Sequence, residues 1–156
     1  AYKNGPIDVA LIYQGIAKND QPAVPVDGKV DGWSLGGSYD FKVVKVFASY
    51  QAESNKLAAG DSDKDLWSLG ARVPVGKAGT VVFEYVDYKN DTNNLVKNQR
   101  AKGYGIGYEH ALSKRTTAYT SLGYISNNET SKQAFGGVGT LDENNTNFNV
   151  GVRHVF

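Results

Sequence analysis

The sequence predicts an all-β fold built from about eight antiparallel strands. Apolar and polar residues alternate along most of the 156-residue chain, and no segment sustains the period of a helix. β-Branched and aromatic residues dominate where the alternation is clearest. The connections between the alternating segments are long and short in turn, which is typical of an up-and-down meander with loops at one end and tight turns at the other.

Eight segments carry the alternation, and each is close to the ~10 residues that a strand needs to cross a membrane. They are 7–16, 32–41, 43–52, 65–75, 79–88, 101–111, 116–126 and 145–156. The short turns are "DFKV", "GKAG" and "LSKR", and the polar stretches between the other segments predict long loops. Because transmembrane barrels separate long and short connections in this way, the pattern predicts a transmembrane antiparallel β-barrel.

The composition excludes several other classes of protein. With a net charge of +1, the chain lacks the basic excess of a nucleic-acid-binding protein. It has no cysteine, which excludes disulfides and thiol chemistry. No apolar run approaches the ~18 residues of a membrane helix, but strands that are apolar on alternate residues escape that test. The N-terminus does not resemble a signal peptide, so we expect a mature chain or a piece of a longer one.

Most of the predicted strands have one apolar face. In "GYGIGYEHAL", Tyr104, Ile106 and Tyr108 share a face, while glycines and Glu109 lie on the other. Segment 116–126 is ambiguous, and we expect Leu122 and Tyr124 to face lipid there. Aromatic residues near strand ends predict girdles at the lipid–water boundary, because rings with one polar edge favour that boundary. The predicted girdle residues are Tyr13, Trp33, Trp67, Tyr85 and Tyr108.

The opposite faces carry charged residues that would line a water-filled lumen. They are Asp8, Asp40, Lys45, Arg72, Glu84, Glu109 and Arg153. Fixed basic side chains on a pore wall raise the local concentration of anions. Ion pairing with acidic neighbours is the competing interpretation for each of them. We expect no catalytic residue, cofactor or metal site: Asp61, Asp63 and Asp65 lie in an acidic stretch without the spacing of an EF-hand loop.

Several stretches resemble the C-terminal half of Gram-negative general diffusion porins of the neisserial and β-proteobacterial type. They are "YKNGPIDVALIY", "LGARVPVGKAG", the turn "HALSKRT" followed by "AYTSLGY", and the ending "VGVRHVF". The resemblance implies an outer-membrane protein whose sixteen-stranded barrel assembles as a homotrimer. Residues 1–156 would then be a single barrel segment, strands nine to sixteen, with an N-terminal half that is absent from this sequence. It also implies a basic cluster on the barrel wall, which we assign to Lys45, Arg72 and Arg153.

The last segment has the pattern of an assembly signal. Phe148, Val150, Val152 and Phe156 share one face, and the resemblance implies that the outer-membrane assembly machinery reads such a terminal aromatic. His154 stands where many such signals carry a larger apolar residue. The lipid bilayer and lipopolysaccharide are the other expected partners, the latter through the basic stretch "VKNQRAK".

The expected function is passive diffusion of small hydrophilic solutes, with a preference for anions. Two alternatives remain open from the sequence. One is a complete eight-stranded barrel with a structural or adhesive role, although the small residues facing inward would fill such an interior poorly. The other is a soluble β-barrel that binds a small apolar ligand.

Overall fold

The computed structural model describes residues 1–18, 28–57, 60–92 and 98–156, and in these ranges the chain forms strands and turns. The strands are β1 (Tyr2–Asn4), β2 (Ile7–Lys18), β3 (Gly28–Asp40), β4 (Lys45–Leu57), β5 (Gly60–Val75), β6 (Gly79–Thr92), β7 (Gln99–Ala111), β8 (Thr116–Asn127), β9 (Gln133–Ala134), β10 (Gly137–Val138) and β11 (Asn145–His154). The part of the chain described here holds no helix long and apolar enough to cross a membrane.

Nine strands form one antiparallel sheet in the order β1-β2-β3-β4-β5-β6-β7-β8-β11, and β9 and β10 form a separate hairpin. Eight of the nine are long, and they correspond to the eight predicted segments, so the predicted all-β meander is confirmed. Among the described residues the two edge strands, β1 and β11, do not pair with each other. The sheet is therefore open, unlike the complete eight-stranded barrel considered as an alternative.

Two of the three short turns contain hydrogen bonds from side chains to the local backbone. Between β3 and β4, Lys42 adopts a positive φ of 70° and its N–H donates to the Asp40 carboxylate at 2.7 Å. Between β7 and β8, the Ser113 hydroxyl accepts the N–H groups of Arg115 and Thr116 at 3.2 and 3.0 Å. Short polar side chains that satisfy backbone N–H groups in this way favour tight turns.

The predicted long loop at residues 53–64 is wrong. Strands β4 and β5 continue through most of it, with cross-strand pairing as far as Leu57 and Gly60. The pairing is supported by a salt bridge of 2.8 Å between Lys64 and Glu53. Polar strand ends that project into water need no apolar alternation, which is why the sequence pattern missed them. Asp61, Asp63 and Asp65 therefore lie on β5 rather than in a loop.

Two other stretches outside the predicted segments also contain strand. The first residues of the chain pair with β2 as the short strand β1, through a turn in which Gly5 has a φ of 53°. The connection between β8 and β11 contains the β9–β10 hairpin, with Gly137 opposite Ala134. In the stretch "VKNQRAK", Gln99–Lys102 belong to β7, and residues 96 and 97 lie outside the described ranges.

Candidate functional site

The sheet register places the predicted inward charges on a single face, which we call the polar face. Cross-strand partners share a face in an antiparallel sheet. One row of partners runs from Asp40 through Lys45 and Arg72, and the next row runs from Asp8 to Glu84. Across all the long strands, the same face carries Asp8, Asp40, Lys45, Arg72, Glu84, Glu109 and Arg153.

The opposite face, here the apolar face, carries a band of aromatic rings across seven adjacent strands. The band consists of Tyr13, Trp33, Tyr50, Trp67, Tyr85, Tyr104 and Tyr124. Ring centroids are 5.1 Å apart for Trp33 and Tyr50 and 5.0 Å apart for Trp67 and Tyr85. Tyr50 lies two residues nearer the short turns than Ala52, the cross-strand partner of Trp33. Tyr85 is displaced in the same way from Asp87, the partner of Trp67. Such a stagger keeps a band level when the strands are tilted, as they are in a barrel.

Tyrosine hydroxyls of this band donate to carboxylates on the side of the long connections. Tyr13 donates to Asp31 at 2.8 Å, and Tyr85 donates to Asp87 at 3.1 Å. Charged residues on the apolar face therefore begin directly beyond the band. A ring with its apolar body on one side and its hydroxyl among charges on the other fits a lipid–water boundary.

Between the band and the short turns, the apolar face of the described long strands carries no Asp, Glu, Lys or Arg. Over the same interval the polar face carries the seven charged residues first predicted to face inward, from Asp8 to Arg153. Near the short turns, aromatic contacts recur: Tyr39 and Phe41 lie 4.5 Å apart, and His154 and Phe156 lie 4.9 Å apart. Tyr108 also lies on this side, with its hydroxyl 2.9 Å from His110 Nδ1. An uncharged belt between two aromatic zones is the exterior of a membrane β-barrel.

The charges of the polar face are partly paired. Arg72 forms a two-point ion pair with Glu109, and Lys3 lies 3.9 Å from Asp8. Lys45 is the cross-strand partner of Arg72 and forms no ion pair within the described residues. Arg153 likewise has no ion-pair partner in those ranges. The face thus has both fixed ion pairs and basic groups that remain available to mobile ions.

Sequence reasoning missed part of this arrangement. Glu53 and Lys64 also point to the polar face, but they were assigned to a loop. Tyr50 and Tyr124 belong to the band, yet each looks like an ordinary strand residue in the sequence alone. The aromatic band has one ring on each of seven strands, in a staggered row. This arrangement becomes visible only when the register of the strands is known.

Small residues on the polar face accommodate aromatic rings from neighbouring strands. The Phe47 ring covers Gly70, and the Tyr119 hydroxyl lies 2.5 Å from the position that a Cβ on Gly151 would occupy. Leu122 and Tyr124 lie on the apolar face, opposite Ile106 and Tyr104, as expected for the ambiguous segment. Tyr119 lies on the polar face, where its ring packs against Gly151 of β11.

Replacing Gly70 with alanine should destabilise the sheet by about 1–3 kcal/mol, the usual cost of overpacking. The added Cβ would overlap the Phe47 ring and would lie 2.7 Å from the backbone oxygen of Phe83, which cannot move without distorting β6. Urea titration of the folded protein would measure the change. Gly36→Ala is the matched control, because its new Cβ would approach nothing closer than 3.7 Å. Equal stability of the two variants would contradict the close packing at Gly70.

The predicted assembly-signal residues lie along the apolar face of the edge strand β11. Phe148, Val150 and Val152 have exposed fractions of 68%, 74% and 64%, and Phe156 is fully exposed. Nδ1 of His154 forms a hydrogen bond of 2.9 Å with the Thr116 hydroxyl. The polar ring therefore has a partner on the neighbouring strand. The apolar side chains of this strand therefore point outward, where lipid or a protein partner can reach them.

This sheet has charged side chains on one face and a continuous zone of apolar side chains on the other. These two faces define the wall of an outer-membrane-type β-barrel. The comparisons with known proteins agree. The family model described as Gram-negative porin matches residues 1–130. The chain therefore belongs to the Gram-negative porin family, and it is a chain of the bacterial outer membrane.

Named relatives support the assignment. Outer membrane porin protein 32 of Delftia acidovorans is 32% identical over 163 residues, which cover 100% of this chain and 44% of the relative. An outer membrane porin of Bordetella pertussis is 30% identical over 183 residues, covering 99% of this chain and 44% of the relative. The chain thus spans less than half the length of these relatives.

Solved structures resemble the fold. The anion-selective porin from Comamonas acidovorans superposes with a TM-score of 0.80 at 31% identity, covering 99% of this chain and 47% of that one. A loop-deletion mutant of OmpT from Vibrio cholerae superposes with a TM-score of 0.74 at 14% identity, covering 97% of this chain and 50% of that one. The second match concerns the fold alone. The described sheet corresponds to about half of a porin barrel.

Proposed function

We propose that this chain forms part of the wall of a water-filled channel through which ions and small hydrophilic solutes diffuse across the outer membrane. The observation that supports it best is the contrast between the two faces at one depth of the sheet. Between the aromatic band and the short turns, the polar face of the described strands carries both signs of charge, and their apolar face carries no Asp, Glu, Lys or Arg. Charged side chains are tolerated at membrane depth where they face water. A water-filled lumen lined by such side chains conducts ions. A channel needs no catalytic residue, and we assign none.

We further propose that residues 1–156 are one barrel segment, the last eight strands of a sixteen-stranded barrel that assembles as a homotrimer. Two observations support a segment. The chain matches 47% of the anion-selective porin, and the described sheet ends in two strands that do not pair with each other. An N-terminal half would then close the barrel against β1 and β11. The assembly machinery and lipopolysaccharide are the proposed partners during and after insertion.

Anion preference is the finer part of the proposal, with Lys45, Arg72 and Arg153 as the basic wall residues. Lys45 and Arg72 are cross-strand partners, which places two cations side by side. One solved relative, 31% identical, is described as anion-selective. Asp40 and Glu84 on the same face oppose the effect, so the free group at Lys45 should contribute more than the paired Arg72.

Lys45→Glu should therefore reduce the ratio of anion to cation permeability at least about twofold, because reversing one fixed charge changes its interaction energy with an ion about 4 Å away by roughly 2 kcal/mol in water before screening by salt. The measurement is the reversal potential of the full-length protein in planar bilayers under a salt gradient. The wild-type recording also tests the channel itself: a protein that inserts and does not conduct would favour the structural or adhesive alternative.

The matched control is Lys77→Glu, which makes the same change of charge in the short turn between β5 and β6. At that rim position we expect little effect on selectivity, since bulk salt screens the charge. If both variants shift the reversal potential equally, net charge rather than the wall position is responsible.

A further inference from the structure

The connection between β8 and β11 folds over the polar face instead of extending away from the sheet. Its β9–β10 hairpin brings Gln133, Ala134 and Phe135 against β7 and β8. A Cβ added to Gly123 would lie 2.5 Å from Cζ of Phe135, so the ring tip rests directly on the glycine. Gly123 is four residues along β8 from its end at Asn127, which places the contact ~13 Å down the strand at ~3.3 Å per residue.

The hairpin is attached to the sheet at its base by a specific set of hydrogen bonds. The Asn127 side chain donates to the Gln133 carbonyl at 2.9 Å and accepts the Gln133 N–H at 3.0 Å. It also donates to the Glu143 carbonyl at 2.7 Å. One amide therefore bonds both arms of the connection. Such bonds fix the base of the hairpin and leave its tip to be positioned by packing.

Beneath the hairpin, the polar face carries mostly apolar side chains. A cavity of about 250 Å³ between hairpin and sheet is lined by Leu66, Val86, Tyr88, Ala101 and Ile125, together with Phe135, and Glu84 adds a charged side chain to this lining. Among the described residues, Ala101 is the buried hydrophobic one, with 5% of its surface exposed. The hairpin covers apolar wall residues that would otherwise contact water, and this burial stabilises its folded-down position.

We propose that the contact between Phe135 and Gly123 holds the β9–β10 hairpin against the channel wall and thereby determines the free cross-section of the lumen. This inference rests on the proposed channel. With the ring on the glycine, the hairpin lies in a recess, because Gly103, Gly105 and Gly123 have no side chains to lift it. Without the contact, the tip is free to move within the lumen while its base remains attached through Asn127. Phe135 is thus a positioning residue for the pore rather than a solute-binding one.

Phe135→Ala should increase brief partial closures several-fold in single-channel recordings of the full-length protein. The variant lies in a connection, so it should fold normally. Gly123→Val tests the other side of the contact, since its side chain would push the ring away, and it should give the same closures. Leu141→Ala is the matched control: Leu141 is an apolar residue of the same connection with an exposed fraction of 55%.

A second measurement reads the position of the hairpin without any current. Lys132 lies next to β9 and is exposed, so trypsin cleavage after it should be faster in Phe135→Ala than in wild type and in Leu141→Ala. Unchanged cleavage and unchanged closures would overturn the proposal, and so would faster cleavage without closures. A wild-type protein that does not conduct would instead refute the proposed channel, and cleavage alone would then decide whether Phe135 holds the hairpin down.

Discussion

Replacing Val150 with arginine is expected to leave most of the protein unassembled. Val150 lies on the apolar face of β11, between Phe148 and Val152, and 74% of its surface is exposed. We expect that surface to contact lipid in the membrane, and an arginine at the middle of the lipid face of a barrel costs about 2–4 kcal/mol. A cost of this size is a large part of the stability of a typical domain. Urea titration in lipid vesicles would measure it, together with the amount of folded protein in outer membranes.

The neighbouring residue provides the control. Asn149 lies on the polar face, opposite Ser121, so Asn149→Arg introduces the same side chain one residue away but directs it towards water. We expect that variant to assemble and unfold much like wild type. If the two arginines are equally harmful, the assignment of the two faces on β11 is wrong.

Phe156→Ala should impair assembly in cells far more than it impairs stability. The Phe156 ring is fully exposed and contacts the His154 ring, so its removal should change the free energy of unfolding by less than about 1 kcal/mol. If the assembly machinery reads this aromatic, most of the protein should nevertheless fail to reach the folded state in cells. Folded protein in outer membranes and refolding in purified vesicles are to be compared for the same variant.

Val155→Ala serves as the control for that comparison, because Val155 is the exposed neighbour of Phe156, with 58% of its surface accessible. Normal assembly of Phe156→Ala in cells would contradict the recognition of the terminal aromatic. An equal loss in cells and in purified vesicles would instead mean that the ring acts through stability.

The fold was predictable from the sequence where one face of a strand is apolar. Segment 101–111 alternates glycine or Glu109 with aromatic and aliphatic residues, and a period of two can be read without knowing the neighbouring strands. Segment 53–64 could not be read in this way. Its strand ends are polar on both faces, and they are held by pairs such as Glu53 and Lys64 that become visible only with the register.

The candidate site was predictable to the same extent and for the same reason. Parity within a strand assigns Lys45 and Arg72 to the face opposite the aromatic residues, but it does not show that the two are cross-strand partners or that Arg72 pairs with Glu109. The position of Phe135 was beyond the sequence pattern, since a polar connection of this length indicates a loop and not the direction in which it folds. Contacts between residues remote along the sheet depend on register and tilt.

The aromatic band has a practical consequence for spectroscopy. The chain has two tryptophans, Trp33 and Trp67, and both belong to the band on the side of the long connections. Their emission therefore reports one depth of the bilayer, that of a single headgroup layer. Quenchers attached at different positions along the lipid acyl chains would then measure depth relative to that layer. The experiment needs no engineered fluorophore in this half of the barrel.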